Sequence, residues 1–292
     1  MILGLPEVAT VTSEVVLSLY PILIKVVDTG LDSQMMARTG VFALLASLFL
    51  TGSDIQKIFA APLLFLFLGA LNLVHIGTSY QAFKDIPAGP AMALFYTYPL
   101  FNIFFSWFLL GEPFDLNVMP LVLLAFIGAL FVINSIHGYE EFKNNDGKDR
   151  NIHRGIFSAL AAALTETAIY VVTRGMNSTS PFPLMTQLYG GAIPWLLGGL
   201  LFFKGQIISD TKLSTWLPLI GFNVLIGFIG YALRFWSIPY VNVAIFSLLS
   251  FIGVFTAYAF GLRFVGEVPT KESLFGGALI ASAIAFLDTK FV

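Results

Sequence analysis

Residues 84–113 run KDIPAGPAMALFYTYPLFNIFFSWFLLGEP: a charged pair, an Ile-Pro step, 23 residues without a charge, then a Gly-Glu-Pro turn. A helix rising 1.5 Å per residue needs roughly 20 mainly apolar residues to cross about 30 Å of hydrocarbon. The uncharged run Ala88–Leu110 has that length, and its flanks carry the charges and turn formers of a chain meeting water. A membrane-spanning strand is excluded by pattern, because such strands alternate apolar and polar residues in segments of about ten.

The same pattern recurs on both sides. Windows of this size give ten spans, the first five near Val8–Val27, Gln34–Thr51, Phe59–Phe83, Ala88–Leu110 and Asn117–Ser135. The rest lie near Gly155–Thr173, Phe182–Lys204, Thr215–Trp236, Tyr240–Phe264 and Ser273–Thr289. No Lys or Arg precedes the first span, so it reads as a retained helix and not as a signal peptide. Composition agrees: 57% of residues are hydrophobic and 11% charged, where a soluble domain carries about 25% charged residues. The expected fold is therefore an all-α integral membrane protein, multi-pass, in a plasma (inner) or organelle membrane, with lipid as its main partner.

Several function classes fall away. A net charge of -2 offers no basic surface for nucleic acid. With no Cys, disulfides and Cys-ligated metals are excluded, and His75, His137 and His153 are too scattered for a metal site. Neither a G-x-S-x-G elbow nor a P-loop occurs, so no enzyme, ATP-driven pump or cofactor is expected.

The halves echo each other around the polar stretch 136–154, which reads as a linker between five-helix repeats at 1–135 and 155–292. Asn72 is followed eight residues later by Tyr80 and then by Ile86–Pro87; Asn223 is followed eight residues later by Tyr231 and then by Ile238–Pro239. Each Ile-Pro pair precedes a long span ending in Gly-Glu, at Gly111–Glu112 and Gly266–Glu267, and the first span of each half holds one acid, Glu14 or Glu166. Five is odd, so the two units enter the membrane from opposite sides, giving inverted repeats of the kind that suits alternating access.

The pattern resembles the EamA-type members of the drug/metabolite transporter superfamily. The residues carrying the likeness are Asp85–Ile86–Pro87–Ala88, the run Leu94–Phe104 with Pro99 inside it, and Leu110–Gly111–Glu112–Pro113. Their counterparts are Ser237–Ile238–Pro239, Ala257–Arg263 and Val265–Gly266–Glu267. The resemblance implies secondary transport of small metabolites, amino acids or drugs, often in exchange for protons or another solute, with the fourth and ninth spans lining a central cavity. It also implies cytoplasmic termini. The distribution of Lys and Arg favours both termini outside. Acids in the first span of each half are not a general feature of these proteins. They look more like the membrane Glu of the small multidrug resistance relatives.

Ionisable groups in hydrocarbon are costly, so they face a cavity or a partner. A carboxyl taken out of water is suited to carrying a proton, which makes Glu14 and Glu166 candidate coupling sites. Tyr170 shares a helix face with Glu166. Asn72 and His75 stripe the third span, Tyr98 and Asn102 the fourth, Asn223 and Tyr231 the eighth, and Ser247 and Ser250 the ninth; Gln187 stands in the seventh. Arg38 is a weaker candidate, and Lys25, Arg174 and Arg234 are expected toward span ends. Glu112 and Glu267 are expected to be structural. The expected function is alternating-access transport of a small polar metabolite, amino acid or organic cation, with protons and a homodimer as further partners. A nucleotide-sugar or phosphorylated-metabolite carrier is the alternative, disfavoured because the central charges read as acidic.

Overall fold

The computed structural model describes residues 3–286 apart from 28, 114, 137–150, 177, 203–211 and 269. Ten helical rods follow the ten sequence windows in order. The first half holds Leu5–Val26, Leu31–Ser47, Pro62–Asp85, Ala88–Leu110 and Met119–Asn134. The second holds Ile152–Met176, a seventh rod built from Phe182–Met185, Thr186–Gly190 and Ile193–Phe202, then Leu213–Ser237, Val243–Val265 and Lys271–Ala285. Six of them, the first, third, fourth, sixth, eighth and ninth, are long and apolar enough to cross a membrane. No strand occurs among the described residues.

Four rods break near their middles, for local reasons. The first breaks at Ser18–Leu19 ahead of Pro21, the fourth at Tyr96–Thr97 ahead of Pro99, and the seventh at Gly191–Ala192 ahead of Pro194. Each proline lacks an N–H and crowds the carbonyl four residues back. The ninth breaks at Phe251 without proline; there the Ser250 hydroxyl donates to the Phe246 carbonyl at 2.8 Å, a side-chain bond that bends helices.

Packing repeats the duplication. The first rod lies on the eighth and the third on the sixth; the second faces the seventh, the fourth the ninth, and the fifth the tenth. Adding five to every rod number returns the same set of neighbours, as an internal two-fold requires. The turns match as well. Gly111 and Gly266 both adopt left-handed backbone, at φ 67° and 72°, a region open to glycine at little cost. Beyond them Glu112 N–H donates to the Ser106 carbonyl and Glu267 N–H to the Gly261 carbonyl, both at 3.2 Å.

Polarity runs from outside to inside. Leu63, Phe157 and Leu213 are exposed, whereas Glu14, Arg38, Glu166 and Arg234 are buried. Two boundaries differ from the sequence reading. The joint at Gly52–Lys57 is a short helix, Gly52–Ala60, capped by Thr51, whose hydroxyl accepts from Asp54 N–H while the Asp54 carboxylate accepts from Thr51 N–H. The sixth rod begins at Ile152, so the last three residues of the supposed linker are helical; residues 137–150 lie outside the described part.

Candidate functional site

The first and eighth rods run antiparallel in a register set by three contacts. Thr10 Oγ1 donates to Ser237 Oγ at 3.0 Å, Arg234 Nη1 donates to Glu14 Oε1, and Tyr20 Oη donates to Asn223 Oδ1 at 2.8 Å. Arg234 lies toward the end of its own rod, as expected, yet this register sets it level with the middle of the first rod. Glu14 also accepts from Tyr96 Oη and, at 3.4 Å, from Ser250 Oγ. The other guanidinium nitrogen, Arg234 Nη2, lies 2.7 Å from Glu166 Oε1, an ion pair without hydrogen-bond alignment. One arginine thus joins the acids of the two half-repeats.

Glu166 continues the chain of contacts. Its Oε2 is 3.2 Å from His75 Nε2, and His75 Nδ1 is 3.3 Å from the Ala162 carbonyl and from Thr165 Oγ1. The Thr165 hydroxyl donates to the Ala161 and Ala162 carbonyls at 3.0 Å. One ring nitrogen thus faces a carboxylate, and the other lies beside a carbonyl and a hydroxyl. A neutral ring has one N–H: carried on Nε2 it donates to Glu166 while Nδ1 accepts from the Thr165 hydroxyl, and a second proton on the ring lets Nδ1 donate to the Ala162 carbonyl instead.

Beside this network Arg38 of the second rod is ringed by aromatic side chains. Its guanidinium carbon is 4.3 Å from the Tyr231 ring centroid, 4.8 Å from Tyr20, 5.6 Å from Phe42, and 5.7 Å from both Tyr80 and Tyr189. Nη2 donates to Tyr189 Oη at 3.0 Å. Arg38, His75, Tyr96, Glu166, Tyr231 and Arg234 share the wall of a space of about 20 Å³, room for one water.

The remaining candidates fall into three groups. Tyr98 lies under Arg234, ring centroid to guanidinium 5.1 Å, and so belongs to the centre with Tyr231 and Ser250. Others bind helices together: Asn72 Nδ2 donates to the Leu188 carbonyl at 3.2 Å, Asn223 Oδ1 accepts from Tyr20 Oη at 2.8 Å, and Ser247 Oγ donates to the Pro99 carbonyl at 3.0 Å. Asn102, Tyr170 Oη and Gln187 Oε1 are buried without a hydrogen-bond partner among the described residues. Three central residues, Arg38, Arg234 and Tyr96, were absent from the leading candidates. Arg234 carried a signal, since two membrane acids demand a base. The centre holds as many bases as acids, so the expectation of acidic central charge does not hold.

Further ion pairs close the two ends. Lys25 Nζ meets Glu267 Oε1 at 2.6 Å, and the same oxygen accepts from Ala88 N–H at 2.7 Å. Arg174 Nε meets Glu112 Oε1 at 2.5 Å, while Arg174 Nη1 donates to the carbonyls of Ile238 and Val241. Lys25 and Arg174 end the first rod of each half, and Glu267 and Glu112 follow the ninth and fourth rods. The pairs are thus internal-symmetry mates at opposite ends of the bundle, and each ties one half to the other.

A family model described as EamA-like transporter family matches residues 6–134 and 153–288. The chain is 26% identical over 261 residues to "Uncharacterized transporter YdfC" of Bacillus subtilis (strain 168), covering 86% of this chain and 79% of that one. It is 23% identical over 242 residues to "Uncharacterized transporter sll1319" of a Synechocystis species, covering 75% of this chain and 64% of the relative. A solved structure described as "Crystal structure of protein" superposes with a TM-score of 0.67 at 16% identity over 96% of both chains, a likeness of fold. A duplicated helical bundle with these matches over both halves belongs to the EamA-like transporter family of the drug/metabolite transporter superfamily, and the chain is a membrane transporter.

Proposed function

We propose that the chain is a secondary active transporter that carries a small polar solute by alternating access, with protons exchanged at the Glu166–His75 pair. The observation behind this is the convergence of Glu14 and Glu166, one from each half, on the single Arg234 in the wall of the central space. Buried charges of this kind in a membrane bundle mark ion and substrate pathways.

The end pairs supply the two gates. Opening one face requires Lys25 and Glu267 to separate; opening the other requires Arg174 and Glu112 to do so. Both are formed in the present conformer, whose central space is about 20 Å³. A transporter passing between its two open forms visits such a closed arrangement. The paired turns at Gly111 and Gly266 give the gates matching construction, so two nearly equal open states are available to one chain.

Glu166→Gln keeps the shape of the side chain and removes its titration. Counterflow of a labelled metabolite panel into proteoliposomes identifies the solute. The variant is then expected to keep counterflow while losing uptake driven by a pH gradient. Full proton-driven uptake by Glu166→Gln would remove the residue from the coupling step.

A further inference from the structure

We infer that Arg38 is the recognition point for a small monocarboxylate, which the protein takes up together with one proton. This rests on the transport reading above and narrows it to a substrate class. Arg38 is buried, and among the described residues no carboxylate forms an ion pair with it. Its Nη2 binds Tyr189 and its Nε has no hydrogen-bond partner. The rings around it attract a cation through their quadrupoles and bring no negative charge. A guanidinium held in this way inside a membrane bundle touches no carboxylate among the described residues, and it stands in the wall of the central space. A carboxylate fits a guanidinium edge in its own plane. Arg234 is unsuited to the task, because both of its terminal nitrogens already face glutamates.

The charge count sets the stoichiometry. Glu14 and Glu166 balance Arg38 and Arg234, so the permanent charges sum to zero. A proton taken up at the Glu166–His75 pair, the coupling step proposed above, makes the centre positive by one unit. A monoanion restores neutrality; a dianion or a cation does not. The groups facing Glu166 are His75 from the third rod, Arg234 and Tyr231 from the eighth, Glu14 from the first, Arg38 from the second and Tyr98 from the fourth. Anion and proton therefore favour each other's binding, and the coupling is reciprocal.

The test uses the full chain in detergent and reads thermal stabilisation by lactate and benzoate, with matched amines, alcohols and inorganic phosphate alongside. The carboxylates are expected to stabilise, with apparent affinity rising about tenfold per unit fall in pH above the range where the pair is already protonated, as one bound proton per anion requires. Arg38→Gln is expected to abolish the effect, Arg38→Lys to weaken it, and Glu166→Gln to remove its pH dependence. Should Arg38→Gln fail to fold, the wild-type pH slope and Arg38→Lys still decide. Stabilisation by amines, alcohols or phosphate instead of carboxylates would overturn the inference, as would a flat wild-type pH profile or undiminished binding by folded Arg38→Gln. Carboxylate binding without flux of any solute in proteoliposomes would sink the transport reading and leave the anion site standing. Undiminished flux of an amine through Arg38→Gln would do the reverse.

Discussion

Arg234 sits between two carboxylates with little water within reach, and this makes its removal costly in a specific way. Taking away one partner of a buried ion pair leaves an uncompensated charge, worth about 3–5 kcal/mol. Arg234→Gln leaves Glu14 and Glu166 facing each other across the centre, so it is expected to lower the melting temperature of the detergent-solubilised protein sharply. Glu14→Gln in the same chain is expected to recover part of the loss, and a double-mutant cycle measures the coupling. Additive losses would show that the contact contributes little. The acids were legible in the sequence because a carboxyl amid apolar residues is conspicuous. Their arginine was less so: two acids demand a base, but Arg234 is three residues from the end of its rod and only the antiparallel register, fixed by Thr10–Ser237 and Tyr20–Asn223, carries it inward.

Elements repeat this lesson in another form. Runs such as Ala88–Leu110 were readable to the residue, since Pro87 and Gly111 stop the helix on both sides. The helix Gly52–Ala60 was not, because Asp54 and Lys57 look like a polar joint until the Thr51 cap is seen. The π-helical turns at Thr186–Gly190, Asn223–Gly227 and Gly261–Val265 have no pattern signature; they depend on what the rod packs against. Close packing also makes a prediction for the fifth and tenth rods. A Cβ on Gly128 would lie 2.6 Å from the Gly276 carbonyl oxygen, so Gly128→Leu forces two backbones apart. It is expected to destabilise by about 1–3 kcal/mol, seen as a lower melting temperature, while Gly40→Leu, with nothing near its Cβ, is expected to change little. At the ends, Lys25→Gln is expected to open one face only. A cysteine at Ala88 would then react faster with an impermeant maleimide, whereas one at Val241, beside the other gate, would not; equal acceleration at both positions would show that the pairs are not separate gates.

At the scale of the whole molecule, the duplication was visible in the order Asn, Tyr, Ile-Pro, Gly-Glu, which recurs in both halves and implies the reciprocal rod packing. The functional asymmetry was not, because it arises where mates differ: Ser237 of one Ile-Pro step pairs with Thr10, whereas Asp85 of the other holds Arg154 through contacts of 2.6 and 2.8 Å. The claim that unites the parts is that the two end pairs open in alternation around Glu14, Arg234 and Glu166. The chain has no native Cys, so spin labels go only where cysteines are placed. Electron–electron distances are measured between Val26→Cys and Val268→Cys beside one gate, and between Leu116→Cys and Met176→Cys beside the other, at high and low pH. The account predicts that lengthening of one pair is accompanied by a short distance in the other. A population in which both distances are long together would contradict it.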